Sequence, residues 1–590
     1  MPDSPDDRTI SRRQVLAGAG GSGLLAAGAP LAAAGALASH APRQGVTPAA
    51  ARPAATGGTP EQIHLTWGGD PAEGVVISWA SPGPAVHPRV HVRPAGESGA
   101  RRRTVPAELR AYTDGINGET VWTYHAAISE LRPGSTYSYA VTADNDASAQ
   151  PFSATFRTAP RGRAAFRFTS FGDLATPNTQ WVLSYGQSAY AVAAVESFQP
   201  LFHLLNGDLC YADLNPAVQP EVWRDFGNNN QASAANRPWM PCPGNHETEF
   251  NNGPQGFTSY LTRYTLPDNH APGFRGRWYS FRVGSVLFVS LDADDVVYQD
   301  AGAFVAGPSP LTPAPATGNP AIQPGTSLYI RGYSRGAQTA WLERTLAAAR
   351  ADTSIDWIVA QMHQIAASSS ATGNGSDLGI REAWLPLFDR YEVDLVLTGH
   401  DHDYERSFPV RGYDAVAGRE AATGAPVETR RPHPVTTVDN GVFDTSKGTV
   451  HLVLGGGGTS APLDSYAVDT GDGQRQAKVF TRPNRPAPTS TPYVYARSAA
   501  DAVEDAPWSA MRDPATGYGI AVFDVHPGTE RERGTSITVT YYHAAGADPT
   551  NPATGAHGSP TAEYTKFETF TLIRPFRSSS DSERAVSRSV

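Results

Sequence analysis

The sequence predicts an α/β domain preceded by a smaller all-β sandwich, and three observations support this fold class. Between residues 59 and 160, apolar and polar residues alternate in short runs separated by Gly, Pro and Asp, as in strands with one buried face. From residue 164, apolar runs of strand length alternate with segments of helical periodicity. Several of these later runs stop directly before an Asp, Asn or His. Because ligands of open α/β sheets collect at the carboxyl ends of strands, these termini indicate a functional site.

The N-terminus predicts an export signal. Residues 11–16, SRRQVL, place two arginines before an apolar stretch rich in Ala and Gly that reaches residue 38. We expect residues 1–38 to be a signal peptide for the twin-arginine export machinery and residues 39–58 to be a linker. A transmembrane helix is the alternative, which Pro30 and the many glycines weaken. The mature chain is then secreted or held in the cell envelope, without a membrane span, because no later segment has the roughly 20 apolar residues required.

The sandwich has a recognisable turn before one of its late strands. Residues 131–137, LRPGSTY, resemble the turn of fibronectin type III modules in which a tyrosine hydroxyl bonds back to the backbone. Residues 59–160 are therefore predicted to form a fibronectin type III-like sandwich. Trp67, Trp79 and Trp122 are expected in its core.

The second domain, residues 164–576, alternates strands with helices, and residues 577–590 are expected to be disordered. The strands are predicted at residues 166–171, 201–205, 239–243, 357–363 and 393–397, and the helices at 179–198, 337–351 and 382–391. Three insertions rich in Pro, Gly and Ala, at residues 301–326, 411–447 and 469–514, are predicted to be loops, because their apolar residues lack periodicity.

Charge and cysteine content exclude some classes of protein. The net charge of −10 over 590 residues argues against a nucleic-acid-binding surface. The only cysteines, Cys210 and Cys242, are too few for a disulfide framework. Each lies beside a predicted ligand cluster, so the two either form one disulfide or remain buried thiols. The oligomeric state is left open by the sequence.

Metal-competent side chains follow strand after strand. The candidates are Asp173, Asp208, Tyr211, Asn245, His246, His363, His400 and His402. This mixture of carboxylate, phenol, amide and imidazole is too rich for one ion and suits two ions that share a carboxylate.

The motifs that carry these residues occur in a fixed order along the chain. They are GDL at residues 172–174, GDLCY at 207–211, GNHE at 244–247, the histidine that ends WIVAQMH at 363, and GHDHDYER at 399–406. This series resembles the calcineurin-like metallophosphoesterases and, more narrowly, the purple acid phosphatases. The closer resemblance to the purple acid phosphatases depends on Tyr211 and on the absence of a histidine from the first motif. The resemblance implies a metallophosphoesterase-type β-sandwich flanked by helices.

The resemblance also implies a ligand set and a reaction. Fe(III) would bind Asp173, Tyr211, His402 and the shared Asp208, and a divalent Zn, Mn or Fe would bind Asp208, Asn245, His363 and His400. The expected activity is hydrolysis of small phosphomonoesters by a metal-bound hydroxide, with His246 protonating the leaving group. Four further residues are expected to support the site: Glu247, Gln364, Tyr404 and Arg406. Asp294 is expected only to form a turn.

One difference from the plant-like purple acid phosphatases affects the expected substrate. They carry further histidines shortly after the fourth motif, whereas Gln364 and a run of serines follow His363 here. A phosphodiesterase is therefore the alternative activity. A protein that binds wall polymer or a partner through its sandwich, with catalysis secondary, is an alternative of another class.

Overall fold

The computed structural model describes residues 57–299, 332–459, 475–482, 502–513, 516–529, 533–545 and 563–576, apart from isolated positions, together with short strands between these ranges. The predicted signal peptide, nearly all of the linker and the predicted disordered tail lie outside the described residues. No helix within the described ranges is long and apolar enough to cross a membrane.

The N-terminal module is a sandwich of two four-stranded antiparallel sheets, ordered β1-β2-β6-β5 and β4-β3-β7-β8. Its strands are β1 (Glu61–Thr66), β2 (Val75–Ser81), β3 (Arg89–Pro94), β4 (Arg103–Pro106), β5 (Glu108–Thr113), β6 (Thr120–Ile128), β7 (Thr136–Thr142) and β8 (Phe152–Arg157). Alternate residues of β7 face the core, as the sequence pattern requires. The Tyr137 hydroxyl accepts a hydrogen bond from the Arg132 backbone N–H at 2.8 Å, which confirms the predicted tyrosine turn.

The second domain is built on two seven-stranded sheets packed face to face, with helices on their outer faces. Its strands are β9 (Phe166–Phe171), β10 (Phe202–Asn206), β11 (Trp239–Cys242), β12 (Tyr279–Val283), β13 (Val286–Ser290), β14 (Ala303–Ala306), β15 (Thr326–Tyr329), β16 (Trp357–Gln361), β17 (Ser376–Asp377), β18 (Leu395–Thr398), β19 (Tyr404–Ser407), β20 (Val410–Asp414), β21 (Gly418–Glu420), β22 (Pro426–Val427), β23 (Arg431–Pro434), β24 (Val442–Asp444), β25 (Val450–Leu454), β26 (Val468–Asp469), β27 (Arg475–Phe480), β28 (Arg485–Pro486), β29 (Tyr495–Ala496), β30 (Ala502–Asp505), β31 (Ser509–Arg512), β32 (Gly519–His526), β33 (Gly534–Ala544) and β34 (Tyr564–Pro575).

The helices are α1 (Ser188–Phe198), α2 (Gln219–Ala234), α3 (Thr258–Arg263), α4 (Ala337–Ala351), α5 (Leu378–Ala383) and α6 (Leu385–Arg390), and the 3₁₀ turns are Ala212–Leu214, Pro216–Val218, Asn245–Glu247 and Ala293–Asp295.

The first sheet runs β11-β10-β9-β32-β33-β34-β24 and the second runs β12-β13-β16-β18-β25-β19-β31. Within each sheet the strands that precede the motifs are parallel: β9, β10 and β11 in the first, and β16 and β18 in the second. Aromatic side chains from both sheets interlock between them; Phe168 stacks on Phe523 and meets Phe288 edge to face. The apolar strands predicted from the sequence are therefore buried on both faces.

Two of the predicted helices differ from the observed ones. The helix expected at residues 179–198 begins only at Ser188, because Leu183 and Gly186 adopt left-handed backbone angles. The helix expected at 382–391 is two short helices, α5 and α6, since Pro386 in the first turn of α6 starts a new helix. Helix α2, which the sequence reasoning missed, packs against β1 of the sandwich.

The prediction that the insertions are loops is wrong for the second and third. Strands β21 and β22 of the second insertion join β26, β27 and β30 in a sheet that also includes β17. The reason is pairing over long range: β21 pairs with β30, about 80 residues later in the chain, and no local pattern signals that contact. Most of the first insertion lies outside the described residues.

Candidate metal centre

The site lies where the carboxyl ends of the parallel strands of both sheets meet. In the first sheet, Asp173, Asp208 and Asn245 follow β9, β10 and β11. In the second sheet, His363 and His400 follow β16 and β18. The His400 backbone N–H donates to Asp173 Oδ2 at 2.9 Å, which joins the ends of the two sheets directly.

Three predicted ligands form an oxygen-rich group: Asp173, Tyr211 and His402. Asp173 Oδ1 lies 3.0 Å from the Tyr211 hydroxyl and 3.2 Å from His402 Nε2, and the hydroxyl lies 3.3 Å from that same nitrogen. Burial, together with the carboxylates of Asp173 and Asp208, raises the pKa of Tyr211 well above its ordinary value. The phenol is therefore protonated and donates to Asp173. A metal ion bound here would displace that proton.

A second, imidazole-rich group adjoins the first and consists of Asp208, His363, His400 and Asn245. The ligand atoms of Asp208, His363 and His400 all lie within 4.8 Å of one another. His363 Nε2 is 3.0 Å from Asp208 Oδ2 and 3.3 Å from His400 Nδ1. His363 Nδ1 donates to the backbone carbonyl of Asn206 at 2.8 Å, which fixes the tautomer and turns Nε2 toward the group.

Two glycines of the motifs are required by close packing against these ligands. A Cβ on Gly244 would lie 2.3 Å from Asp208 Oδ1, and one on Gly399 would lie 2.4 Å from Asp173 Oδ2. No side chain can occupy either position without displacing a ligand. The glycines that begin the third and fifth motifs thus make room for carboxylates from the first and second.

Four ligands have left-handed backbone angles, which non-glycine residues adopt rarely. Their φ values are 57° for Asp173, 48° for Asp208, 58° for Tyr211 and 72° for His400. Such angles cost about 1–2 kcal/mol per residue and persist where the surrounding structure imposes them, often at functional sites. Ala175 also has a positive φ of 58°, so the first motif makes this turn without a glycine.

His246 stands beside the ligand groups with an acidic partner. Its Nδ1 lies 2.8 Å from Asp213 Oδ2 and its Nε2 lies 3.9 Å from Asp208 Oδ2; its side chain is 19% exposed. Burial acts to lower the pKa of His246, but the carboxylates of Asp213 and Asp208 raise it to about 10. A raised pKa favours the protonated ring at neutral pH, and the ring lies beside the ligands with part of its surface exposed. Sequence reasoning missed Asp213, although it lies only two residues after Tyr211.

Glu247 holds the second and third motifs together. Its carboxylate accepts hydrogen bonds from the backbone N–H groups of Asp208, Leu209 and Gly244, at 2.9, 2.9 and 2.7 Å. Glu247 therefore supports the site by fixing the loops that carry Asp208 and Asn245.

The other three predicted supporting residues lie at different distances from the ligands. Gln364 donates to Asp294 Oδ1 at 2.5 Å, so Asp294 does more than form a turn. Tyr404 and Arg406 both bond to Glu568 on β34, at 2.6 Å for the tyrosine hydroxyl and 2.6 Å for a guanidinium nitrogen. They support the fifth motif by tying the second sheet to the first.

The structure contradicts the disulfide alternative. Cys210 and Cys242 are both buried free thiols. Cys242 ends β11 in register with Asn206, whereas Cys210 lies beyond the end of β10 in the apolar core. Burial raises the pKa of both thiols well above the ordinary value, so both remain protonated.

Sequence reasoning also missed the backbone support beneath the first motif. Gly457 and Gly458 donate their N–H groups to the carbonyls of Gly172 and Asp173, and Thr459 donates both its N–H and its hydroxyl to the Asp173 carbonyl. The glycine run was recognisable in the sequence, but its spatial neighbour lies nearly 300 residues earlier.

The residues fit metal ions. In the described part of the chain, the buried Oδ1 of Asn245 has no hydrogen-bond partner, which is costly unless a cation or water takes that place. The oxygen-rich group offers carboxylate and phenol oxygens, the ligands a hard trivalent ion prefers. The second group offers imidazole and amide ligands, which suit a divalent ion.

Comparison with known proteins gives matches over both domains. A family model described as the purple acid phosphatase N-terminal domain matches residues 60–159, and one described as calcineurin-like phosphoesterase matches residues 166–404. An uncharacterized protein of Mycobacterium tuberculosis is 40% identical over 524 residues, which are 87% of each chain. The Fe(3+)-Zn(2+) purple acid phosphatase 12 of Arabidopsis thaliana is 25% identical over 59% of this chain and 65% of its own.

A solved structure matches the fold across both domains. The purple acid phosphatase PPD1 from yellow lupin (Lupinus luteus) seeds superposes with a TM-score of 0.56 at 17% identity, over 88% of this chain and 75% of that chain. Fold and site together define a metal-dependent phosphoric ester hydrolase. The chain belongs to the purple acid phosphatase-like calcineurin-like phosphoesterases, which confirms the resemblance, the fold class and the enzyme class predicted from the motifs.

Proposed function

We propose that this protein is a binuclear phosphomonoesterase that acts on small phosphate esters. The observation that carries the proposal is the pair of adjoining ligand groups, one rich in oxygen and one rich in imidazole, joined by the contact between His400 and Asp173. Fe(III) on Asp173, Tyr211 and His402, with a divalent Zn, Mn or Fe on Asn245, His363 and His400 and Asp208 shared between them, is the arrangement that these donors favour.

When bound, the two ions would activate a water molecule and neutralise charge on the phosphoryl oxygens. The chain itself supplies the proton donor. His246 is cationic, 19% exposed, and held through Nδ1 by Asp213, so its Nε2 proton is available to the leaving-group oxygen. Asp213 keeps the ring in one tautomer and stabilises its charge.

Phosphodiester hydrolysis is a second candidate, favoured by the environment of Gln364. This neutral side chain follows His363 and donates to Asp294, so it adds no positive charge for the substrate phosphate. A phosphodiester carries one negative charge fewer than a fully ionised monoester and needs less cationic compensation.

The test is to purify the protein, determine its metals, and compare the hydrolysis of an aryl phosphate with that of the bis-aryl diester across pH. We expect metal-dependent hydrolysis that falls sharply in His246→Ala, and a visible phenolate-to-iron band that is lost in Tyr211→Phe. Metal-replete protein that hydrolyses neither ester would refute the proposal. An active protein with no such band would remove iron from it.

We also propose export by the twin-arginine machinery, followed by secretion or retention in the cell envelope. The support is the sequence of residues 11–38. Replacing Arg12 and Arg13 with lysine should retain the protein in the cytoplasm, as measured by cell fractionation. Export of that variant at the wild-type level would contradict the proposal.

A further inference from the structure

The β5–β6 turn of the sandwich, residues 114–119, docks on the catalytic domain beside the third motif. The side-chain amide of Asn252 makes two hydrogen bonds to this turn. Its Nδ2 donates to Asp114 Oδ2 at 2.9 Å, and its Oδ1 accepts from the Gly115 N–H at 2.9 Å. Asp114 and Asn252 are 2% and 1% exposed. Two hydrogen bonds thus cross the domain boundary in a dry environment, where they are strong.

The contact continues toward the site through Glu249. Asn252 Nδ2 also lies 2.7 Å from Glu249 Oε2, and Glu249 Oε1 accepts from the Trp223 indole N–H at 2.5 Å. Glu249 is two residues after Glu247, whose carboxylate binds the backbone of the second and third motifs. A short covalent and hydrogen-bonded path therefore links the sandwich turn to the loops of Asp208 and Asn245.

The turn touches the catalytic domain at two further points. A Cβ on Gly115 would lie 2.3 Å from the Asn251 carbonyl oxygen, so the two backbones are in direct contact. Asn117 Nδ2 lies 3.4 Å from the carbonyl oxygen of Ala217, on the segment that follows Asp213. The turn consequently braces both loops that carry the His246–Asp213 pair.

We propose that Asp114 and Gly115 are positioning residues for the metal centre, through which the sandwich holds Asn245 and His246 in place. The proposal rests on the proposed function, since it assigns the sandwich a part in the same site. The third-motif segment forms only a short 3₁₀ turn at Asn245–Glu247 between β11 and α3. External support matters for such a segment, because a misplacement of about 1 Å can reduce catalysis about 100-fold.

The experiment compares two pairs of variants in the full-length protein. Gly115→Ala and Asp114→Ala disturb the turn. Gly69→Ala is the matched glycine control, since a Cβ there meets nothing within 4 Å. Tyr139→Phe is the matched interface control, since it removes a buried 2.7 Å hydrogen bond from the sandwich to the Ala235 carbonyl at the end of α2. For each variant, kcat and KM on aryl phosphate are measured, with the Zn²⁺ affinity of metal-depleted protein by calorimetry and Tm.

We expect Gly115→Ala and Asp114→Ala to lower kcat and weaken Zn²⁺ binding by about 10-fold, with KM nearly unchanged, while both controls retain wild-type values. Asp114→Asn keeps one acceptor oxygen but turns its NH2 group toward either Asn252 Nδ2 or the N–H groups of Ile116 and Asn117, so it should restore only part of the loss. Folded turn variants with wild-type kcat and Zn²⁺ affinity would overturn the proposal, and so would equal losses in Tyr139→Phe. If the wild type hydrolyses no ester, the proposed function fails, and the Zn²⁺ affinities alone still decide whether the turn positions Asn245.

Discussion

The two ligand groups differ in how the protein prepares them for a cation. Asp173, Tyr211 and His402 bond to one another, and His402 is 19% exposed. Asp208, His363 and His400 are almost fully buried, and His363 is held from outside the group by the Asn206 carbonyl. Both groups are bonded internally, and the difference is that the first has a ligand in contact with solvent, His402, whereas the ligands of the second are shielded from it.

This difference indicates distinct roles for the two halves. A self-bonded group with anionic oxygens must lose its internal hydrogen bonds and a phenol proton to bind an ion, and it recovers that cost only with a highly charged one. The imidazole-rich group must also lose a proton, because nearby carboxylates raise the pKa of His363 to about 10 and its Nε2 lies 3.0 Å from Asp208 Oδ2, but its neutral ligands suit a divalent ion. Asp208 contacts His363 of the second group, and its carboxylate, together with burial and Asp173, raises the pKa of Tyr211 in the first.

The largest effect is expected at Asp208, because in the proposed function it binds both ions. Asp208→Asn keeps the shape but removes the negative charge, so both ions should bind more weakly and kcat on aryl phosphate should fall by at least about 1,000-fold, about 4 kcal/mol of transition-state stabilisation. Metal analysis of the purified variant checks this. Loss of one metal only would show that Asp208 belongs to one half.

The next comparison sets His363→Ala against His402→Ala. If the halves hold different ions, His363→Ala should deplete the divalent metal and His402→Ala the iron, each with a loss of activity of about 100-fold or more. Elemental analysis of both variants, purified side by side, measures this. The idea of two distinct halves fails if both variants lose the same metal.

A smaller effect is expected from the partner of His246. Asp213→Asn removes a carboxylate that raises the pKa of His246. The pKa should therefore fall, and the ring should lose its proton at a lower pH than in wild type. The alkaline limb of the kcat profile should move to lower pH, with kcat reduced about 10- to 100-fold. Metal content should stay at wild-type levels. An unshifted profile would show that His246 does not supply the proton.

The sequence could predict the metal ligands but not most of the contacts that hold them in place. The predicted ligands could be found because each follows a local signal, an apolar run and then a polar residue, often after glycine. The Glu247 contacts, the Thr459 support and the Asp114–Asn252 contact could not, because they join segments that no local pattern connects. The same limit concealed the sheet built from β21, β27 and β30, whose strands are far apart in the sequence.

The smallest effect is expected at His451, a buried histidine that belongs to neither ligand group and can be compared with the ligand His363. His363 and His451 are 0% and 3% exposed, yet the pKa of His363 is raised to about 10, whereas that of His451 is lowered to about 3. Burial lowers both, but Asp208 and Asp173 reverse the direction for His363, while Arg381 adds to the lowering for His451. Nearby carboxylates thus distinguish a ligand histidine from a histidine of the sheet.

The sign of the effect on stability follows from proton binding. Between pH 6.5 and pH 3 the unfolded chain protonates His451 and the folded chain does not, so the free energy of unfolding falls as the pH falls through this window. The contribution of His451 should make the free energy of unfolding about 2 kcal/mol lower at pH 5 than at pH 7.5. His451→Leu should remove that cost and leave kcat unchanged. Denaturant unfolding at both pH values measures the difference, and His433→Leu, which replaces a 58% exposed ring, is the control. An equal pH dependence in His451→Leu and wild type would show that His451 is accommodated in its charged form.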